Sequence, residues 1–268
     1  MALRALLFDL GDTLWQATVP APAGLEASLA ARQLRCVLGE RAAGVDLALV
    51  AAALLDATRA AQQAAAQGSL LSPDFCGLAD QVIGGFGLAD LDDRAAQVWR
   101  ACCVPPERLG RQVFPDAYAT LAWARAAGFR IGAVVNHAFG AAAVDAELRA
   151  ANLREFFDAV TVSADAGWLK PHPELFFAAL AALGVVPEEA VMVGDSLSLD
   201  VKGAMMIGMT AVWKRNGRRV RAGERLPLEP AYQIDDLSEL PRLLGRSTGS
   251  ALPIDALGYR ETGTDRYA

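Results

Sequence analysis

Apolar and polar positions follow two different rhythms along this chain. Residues 5–8, Ala-Leu-Leu-Phe, form an unbroken apolar run closed by Asp9 and Gly11, which predicts a buried strand opening into a loop. From residue 15 to about 112 the apolar positions recur at helical steps instead. Leu47, Val50, Leu54, Ala57 and Ala61 mark one helix face, and alanine, a strong helix former, dominates residues 48–66. Ser72-Pro73 predicts an N-cap followed by proline in the first turn of the next helix. This whole stretch reads as a helical insertion without strand signals.

Beyond residue 112 short apolar runs alternate with helical periods. Strands are predicted at 131–135, 159–162, 191–193, 210–213 and 232–234. Helices are predicted from Pro115-Asp116 to Gly128, over 144–153, over 173–183 before Gly184, over 201–207 before Gly208, and over 237–244. Such alternation predicts an α/β fold with a parallel sheet and right-handed crossovers. Ligands of these sheets bind beyond the carboxyl ends of the strands. Asp9, Asn136, Ala164-Asp165 and Asp195 all fall just past predicted strand ends, so they are expected to converge on one crevice. The segment from Ser247 to the end is rich in Gly, Thr and Ser and is expected to be loosely held.

Composition narrows the function classes. The 268 residues are long enough for a core domain and a smaller second unit, and the net charge of −6 offers no basic footprint for nucleic acid or an anionic membrane. Four cysteines, at 36, 76, 102 and 103, match no zinc spacing and are expected to be reduced, with Cys102 and Cys103 packing a helix. The apolar run at 5–8 is cut by Asp9 and Asp12, so it reads as no secretory signal, and nothing approaches the length of a membrane span. A cytoplasmic location is expected.

Four segments carry the chemistry: Phe8-Asp9-Leu10-Gly11-Asp12-Thr13-Leu14, Val134-Val135-Asn136, Lys170-Pro171-His172-Pro173, and Gly194-Asp195 with Asp200. Their order and spacing, over roughly residues 3 to 217, resemble the four motifs of the haloacid dehalogenase-like hydrolases. The resemblance implies a Rossmann-like core domain from 1–14 and 113–246, an inserted α-helical cap domain from 15–112, and a tail from 247–268. It implies Asp9 as nucleophile, forming an aspartyl-phosphate, and Mg²⁺ held by Asp9, Asp195 and the backbone carbonyl of Gly11. Lys170 would place its cation between Asp9 and the phosphoryl oxygens, neutralising charge where two anions meet. Asp200 would orient a metal-bound water or the lysine, with a helix-start carboxylate as the other reading. Asn136 would donate to a phosphoryl oxygen or hold the Asp9 loop. The implied substrate is a small phosphorylated metabolite.

Two positions depart from the family pattern. Gly11 stands where phosphatases of the family carry a second Asp, their general acid and base. Asp12, one residue on, is read as a loop-stabilising residue, because neighbouring side chains of extended backbone point opposite ways. Val135 stands where the family has Ser or Thr. Missing acid–base help predicts slow turnover of alkyl phosphates, since such help is typically worth about 10²–10⁴ in rate. Two other functions remain open: a metal-free 2-haloacid dehalogenase, whose halide leaves without a proton, and an impaired scaffold acting as a binding or regulatory protein. Trp15 is read as lining the crevice mouth or packing a hinge, and Arg32, Arg35, Arg41 and Arg59 as cap residues for substrate or solvent.

Overall fold

Six short apolar runs form the strands of one sheet in the computed structural model, which describes residues 2–18, 20–88, 95–218 and 228–245. The strands are β1 (Ala5–Phe8), β2 (Arg130–Val135), β3 (Ala159–Val162), β4 (Ala190–Gly194), β5 (Thr210–Lys214) and β6 (Tyr232–Ile234). They lie in the order β3-β2-β1-β4-β5-β6, and every neighbouring pair is parallel. β1 is buried at all four positions and β4 at all five. A strand covered on both faces has no polar side to show, which is why these runs are continuously apolar. The chain steps from β1 outward to β2 and β3, then returns to the other side of β1 with β4. That reversal opens a crevice at the carboxyl ends of β1 and β4.

Helices α1 (Leu25–Leu38), α2 (Leu47–Gln67), α3 (Phe75–Gly84) and α4 (Ala95–Arg100) precede β2. They bury an apolar cluster of their own that includes Leu34, Val50, Leu54, Ile83 and Trp99. The core-facing stripe of α2 runs Leu47, Val50, Ala51, Leu54, Leu55 and Thr58, so it turns away from Ala57 and Ala61 after two turns. The N-cap of α3 is Asp74 and not Ser72: Asp74 Oδ1 accepts from the Gly77 amide at 3.0 Å, while the Ser72 hydroxyl is buried without a partner. The chain leaves for these helices and returns from them side by side, the Gln16 amide donating to Gln112 O and the Phe114 amide to Leu14 O.

Helices α5 (Ala117–Ala126), α6 (Gly140–Ala150), α7 (Ser163–Ala166), α8 (Pro173–Leu183), α9 (Lys202–Met206) and α10 (Leu240–Leu243) belong to the sheet's layers. Two apolar clusters cover the two faces of the sheet, one with Leu6, Phe8 and Leu121, the other with Leu7, Phe176 and Trp213. The expected helix at 201–207 begins earlier, as a π-type turn over Leu197–Val201 that runs into α9. No helix among the described residues is long and apolar enough to cross a membrane. The tail expected from 247 lies outside the described residues.

Candidate functional site

β1 ends at Phe8 and delivers Asp9 to the crevice, its amide fixed by Val193 O of β4 at 3.0 Å. Lys170 reaches the same point from the loop between α7 and α8. Its Nζ donates to Asp9 Oδ1 at 2.6 Å, Asp200 Oδ1 at 2.8 Å and Val134 O at 2.9 Å, so all three ammonium protons are used. The side chain is 3% exposed and Asp200 1%. A buried ammonium survives only when paired in this way, and breaking such a pair typically costs about 3–5 kcal/mol.

Asp200 comes from the π-type turn after β4, and its second oxygen accepts from the Ser196 amide at 3.0 Å. Gly194 makes room for it: a Cβ there would lie 2.4 Å from the Asp200 carboxyl carbon. Asp200 therefore orients the lysine, and Asp195, just past β4, completes a trio of carboxylates. One oxygen each from Asp9, Asp195 and Asp200 lie within 4.8 Å of one another. Burial, outweighing the pull of Lys170, pushes Asp9 up to about 6. Burial and the neighbouring Asp9, Asp200 and Asp12 push Asp195 up to about 7. Lys170 is raised by Asp200 and Asp9, which outweigh its burial. Three carboxylates around one ammonium leave an excess of negative charge, and the donors are all oxygen. That set fits a hard divalent cation such as Mg²⁺.

Asn136, after β2, holds the lysine rather than the Asp9 loop. Its Oδ1 accepts from the Lys170 amide at 2.7 Å and its Nδ2 reaches Lys170 O at 3.4 Å. The Lys170–Pro171 peptide is cis. His172 caps α8 through Nδ1, which accepts from the Glu174 amide, and stacks on Trp168 at 3.8 Å. The expectation that Asp165 joins the crevice is not met, because its carboxylate instead accepts from the Ala141 amide at the start of α6.

The haloacid dehalogenase-like hydrolase profile matches residues 3–208. The chain belongs to this family. Among curated proteins it is 39% identical over 135 residues to a phosphoserine phosphatase of Thermus thermophilus, covering 50% of this chain and 52% of that one. It is 40% identical over 123 residues to a glyceraldehyde 3-phosphate phosphatase of Methanopyrus kandleri, covering 46% and 49%. The chain spans about half the length of the curated relatives it matches. Among solved structures, a HAD phosphatase from Thermococcus onnurineus superposes with TM-score 0.56 at 29% identity, over 92% of this chain and all of that one. A 2-haloacid dehalogenase from Pseudomonas syringae pv. Tomato superposes with TM-score 0.61 at 26% identity, over 90% and 98%.

The two departures from the haloacid dehalogenase-like pattern have clear local consequences. Asp12, at φ 53°, turns its carboxylate to the loop ahead, accepting from the Ala17 amide at 2.8 Å and the Thr18 amide at 3.1 Å. Its own carbonyl accepts from Asn216 Nδ2 at 2.7 Å. Both ends of Asp12 thus brace loops. The space beside Gly11 is filled by Ala17, whose methyl would lie 2.9 Å from a Cβ at position 11. Val135 lines the crevice with no side-chain donor to offer.

Above Asp9, Asp195 and Lys170 opens a cavity of about 330 Å³, also lined by Gly11, Trp15, Asn136 and Asp200. Its lining also includes residues that the sequence did not single out for chemistry: Glu26, Arg111 and Glu147, with His137 and Cys103. The four arginines considered earlier are absent from its lining, and Arg59 instead pairs with Glu26 and Asp56. Cys102 packs as expected, but Cys103 faces the cavity, its thiol pushed up by burial and by Glu147. The four cysteines are free.

Proposed function

We propose that this chain is a Mg²⁺-dependent phosphohydrolase of a small phosphorylated metabolite, with Asp9 as nucleophile. The observation that carries the reading is Lys170 held between Asp9 and Asp200, with Asp195 closing the carboxylate trio at the floor of the cavity. Phosphatase relatives and a phosphatase neighbour point the same way. The helices of residues 15–112 act as the cap, and the cavity, of a size for a small ligand, lies between them and the sheet.

An Asp9 oxygen attacks phosphorus, and the bond to the ester oxygen breaks as the new one forms. Lys170 stabilises charge on the nucleophile's carboxylate and keeps one oxygen pointed away from the attack. Asp9, Asp195 and the Gly11 carbonyl would hold Mg²⁺, which supplies charge neutralisation for the phosphoryl group. No acid stands at position 11, so the leaving oxygen takes its proton from water. Water then hydrolyses the aspartyl-phosphate, again without a side-chain base from that position, so the second step is slow.

Metal-free dehalogenation is favoured by Gly11 and by the dehalogenase neighbour. It is disfavoured by the three carboxylates, which would repel a haloacid's own carboxylate. The test is a screen of phosphate esters and acetyl phosphate, with and without Mg²⁺, on wild type and Asp9→Asn. Metal-dependent phosphate release that Asp9→Asn abolishes supports the reading. Turnover that ignores the metal or survives Asp9→Asn sinks it, and halide release without metal would establish the rival.

A further inference from the structure

A cation stands close to where the cavity lacks an acid. The segments that leave for and return from the helices of residues 15–112 run antiparallel. The Gln16 amide donates to Gln112 O and the Phe114 amide to Leu14 O, each at 2.9 Å, and Trp15 bridges Val113 between them. Carried one pair further, that register sets Ala17 opposite Arg111, on the same face as Trp15 and Val113. Trp15, Ala17 and Arg111 all line the cavity, so this face looks into it. Ala17 fills the space beside Gly11, its methyl 2.9 Å from a Cβ placed there. Arg111 therefore starts next to the position from which the family's acid would serve the leaving oxygen.

The charge of Arg111 is also unspent. Lys170 commits its three protons to Asp9, Asp200 and Val134 O, and Asn136 is taken by the Lys170 backbone. Glu26 pairs with Arg59, and Glu147 with His137. Among the described residues the Arg111 side chain has no hydrogen bond or ion pair, and its Nε is buried without a partner. A half-buried guanidinium without an acceptor is costly unless a ligand supplies one. We infer that Arg111 is a catalytic residue, its guanidinium donating hydrogen bonds to the ester oxygen that leaves phosphorus. As that bond breaks, its electron pair passes to the oxygen, and Arg111 stabilises the charge without giving up a proton. Water still supplies the proton, so charge at position 111 takes over part of what an acid at position 11 would do. This deepens the phosphohydrolase reading and rests on it for where the phosphoryl group lies.

Phenyl phosphate and 4-nitrophenyl phosphate test it, because the nitro group already spreads the charge of its leaving oxygen. With Mg²⁺, Arg111→Gln is expected to lower kcat/KM on phenyl phosphate by about 10²-fold and on 4-nitrophenyl phosphate by about tenfold or less. Arg111 has no side-chain partner to lose, so the melting temperature should stay near that of wild type. An equal loss on the two esters, or no loss on either, overturns the inference, since a purely structural role does not sense the leaving group. Arg111→Met, which keeps the apolar stem, is read the same way should the glutamine variant not fold. If wild type turns over neither ester, the phosphohydrolase reading fails, and calorimetric binding of inorganic phosphate with Mg²⁺ tests Arg111 alone. Binding about tenfold weaker in Arg111→Gln keeps the guanidinium as a donor to the anion, and equal binding ends the inference.

Discussion

At the residue scale the proposed mechanism turns on Gly11, which offers no side chain to act as acid or base. Asp12 cannot stand in for the missing acid, because its carboxylate is committed to the Ala17 and Thr18 amides. Restoring the acid is not a one-residue change either: a Cβ at position 11 lies 2.9 Å from the Ala17 methyl. We expect Gly11→Asp alone to disturb the 11–18 loop, and Gly11→Asp with Ala17→Gly to seat the new carboxylate. In the double variant dephosphorylation of the trapped phosphoryl-protein should quicken by up to about 10²–10⁴, the usual reach of general acid–base help. Single-turnover decay of the acyl phosphate measures it, and decay as slow as in wild type would show that position 11 does not face the phosphoryl group. Asp9 and Asp195 were legible as residues just past strand ends, and Lys170 and Asp200 through motifs that resemble the family's; the structure brings all four side chains together. Glu147 and His137, which also line the cavity, were not legible, since a glutamate on a helix and a histidine in a loop carry no spacing signal. They meet only when α6 packs beside the end of β2.

Strand and helix positions were legible wherever local chemistry and burial agree. β1, β3, β6 and α8 fall where the apolar runs and the Pro173 and Gly184 boundaries put them. The start of α3 shows where local chemistry misled. Ser72-Pro73 has the form of a cap, yet the Ser72 amide is taken by Gly167 O and Leu70 O accepts from the Leu169 amide, stitching this loop to the approach of Lys170. The chain turns helical two residues later, at Asp74. Asp74→Ala is therefore expected to cost about 1 kcal/mol of stability. Ser72→Ala, which removes a hydroxyl with no partner, should be neutral or slightly stabilising. Urea denaturation of both variants checks this, and an equal loss in the two would mean that Ser72 carries the cap after all.

At the scale of the whole molecule, the fold concentrates like charge at the switch point of its sheet, and that should show in its stability. Asp9 at about 6 and Asp195 at about 7 both lie above the ordinary carboxylate value of roughly 3.9. Between about pH 4 and 7 the metal-free folded protein holds protons that the unfolded chain has released. By linkage, the contribution of these two groups to stability falls as pH rises through that window. A divalent cation needs the same oxygens ionised, so its stabilising effect runs the other way, small near pH 5 and full above about pH 7.5. Scanning calorimetry with EDTA or with saturating Mg²⁺ should show a melting-temperature gap that widens with pH, and Asp195→Asn should flatten it. A gap equal at pH 5 and pH 8, or none at either, would mean that the carboxylate trio does not hold the ion. The negative charge gathered around Lys170 would then need another explanation.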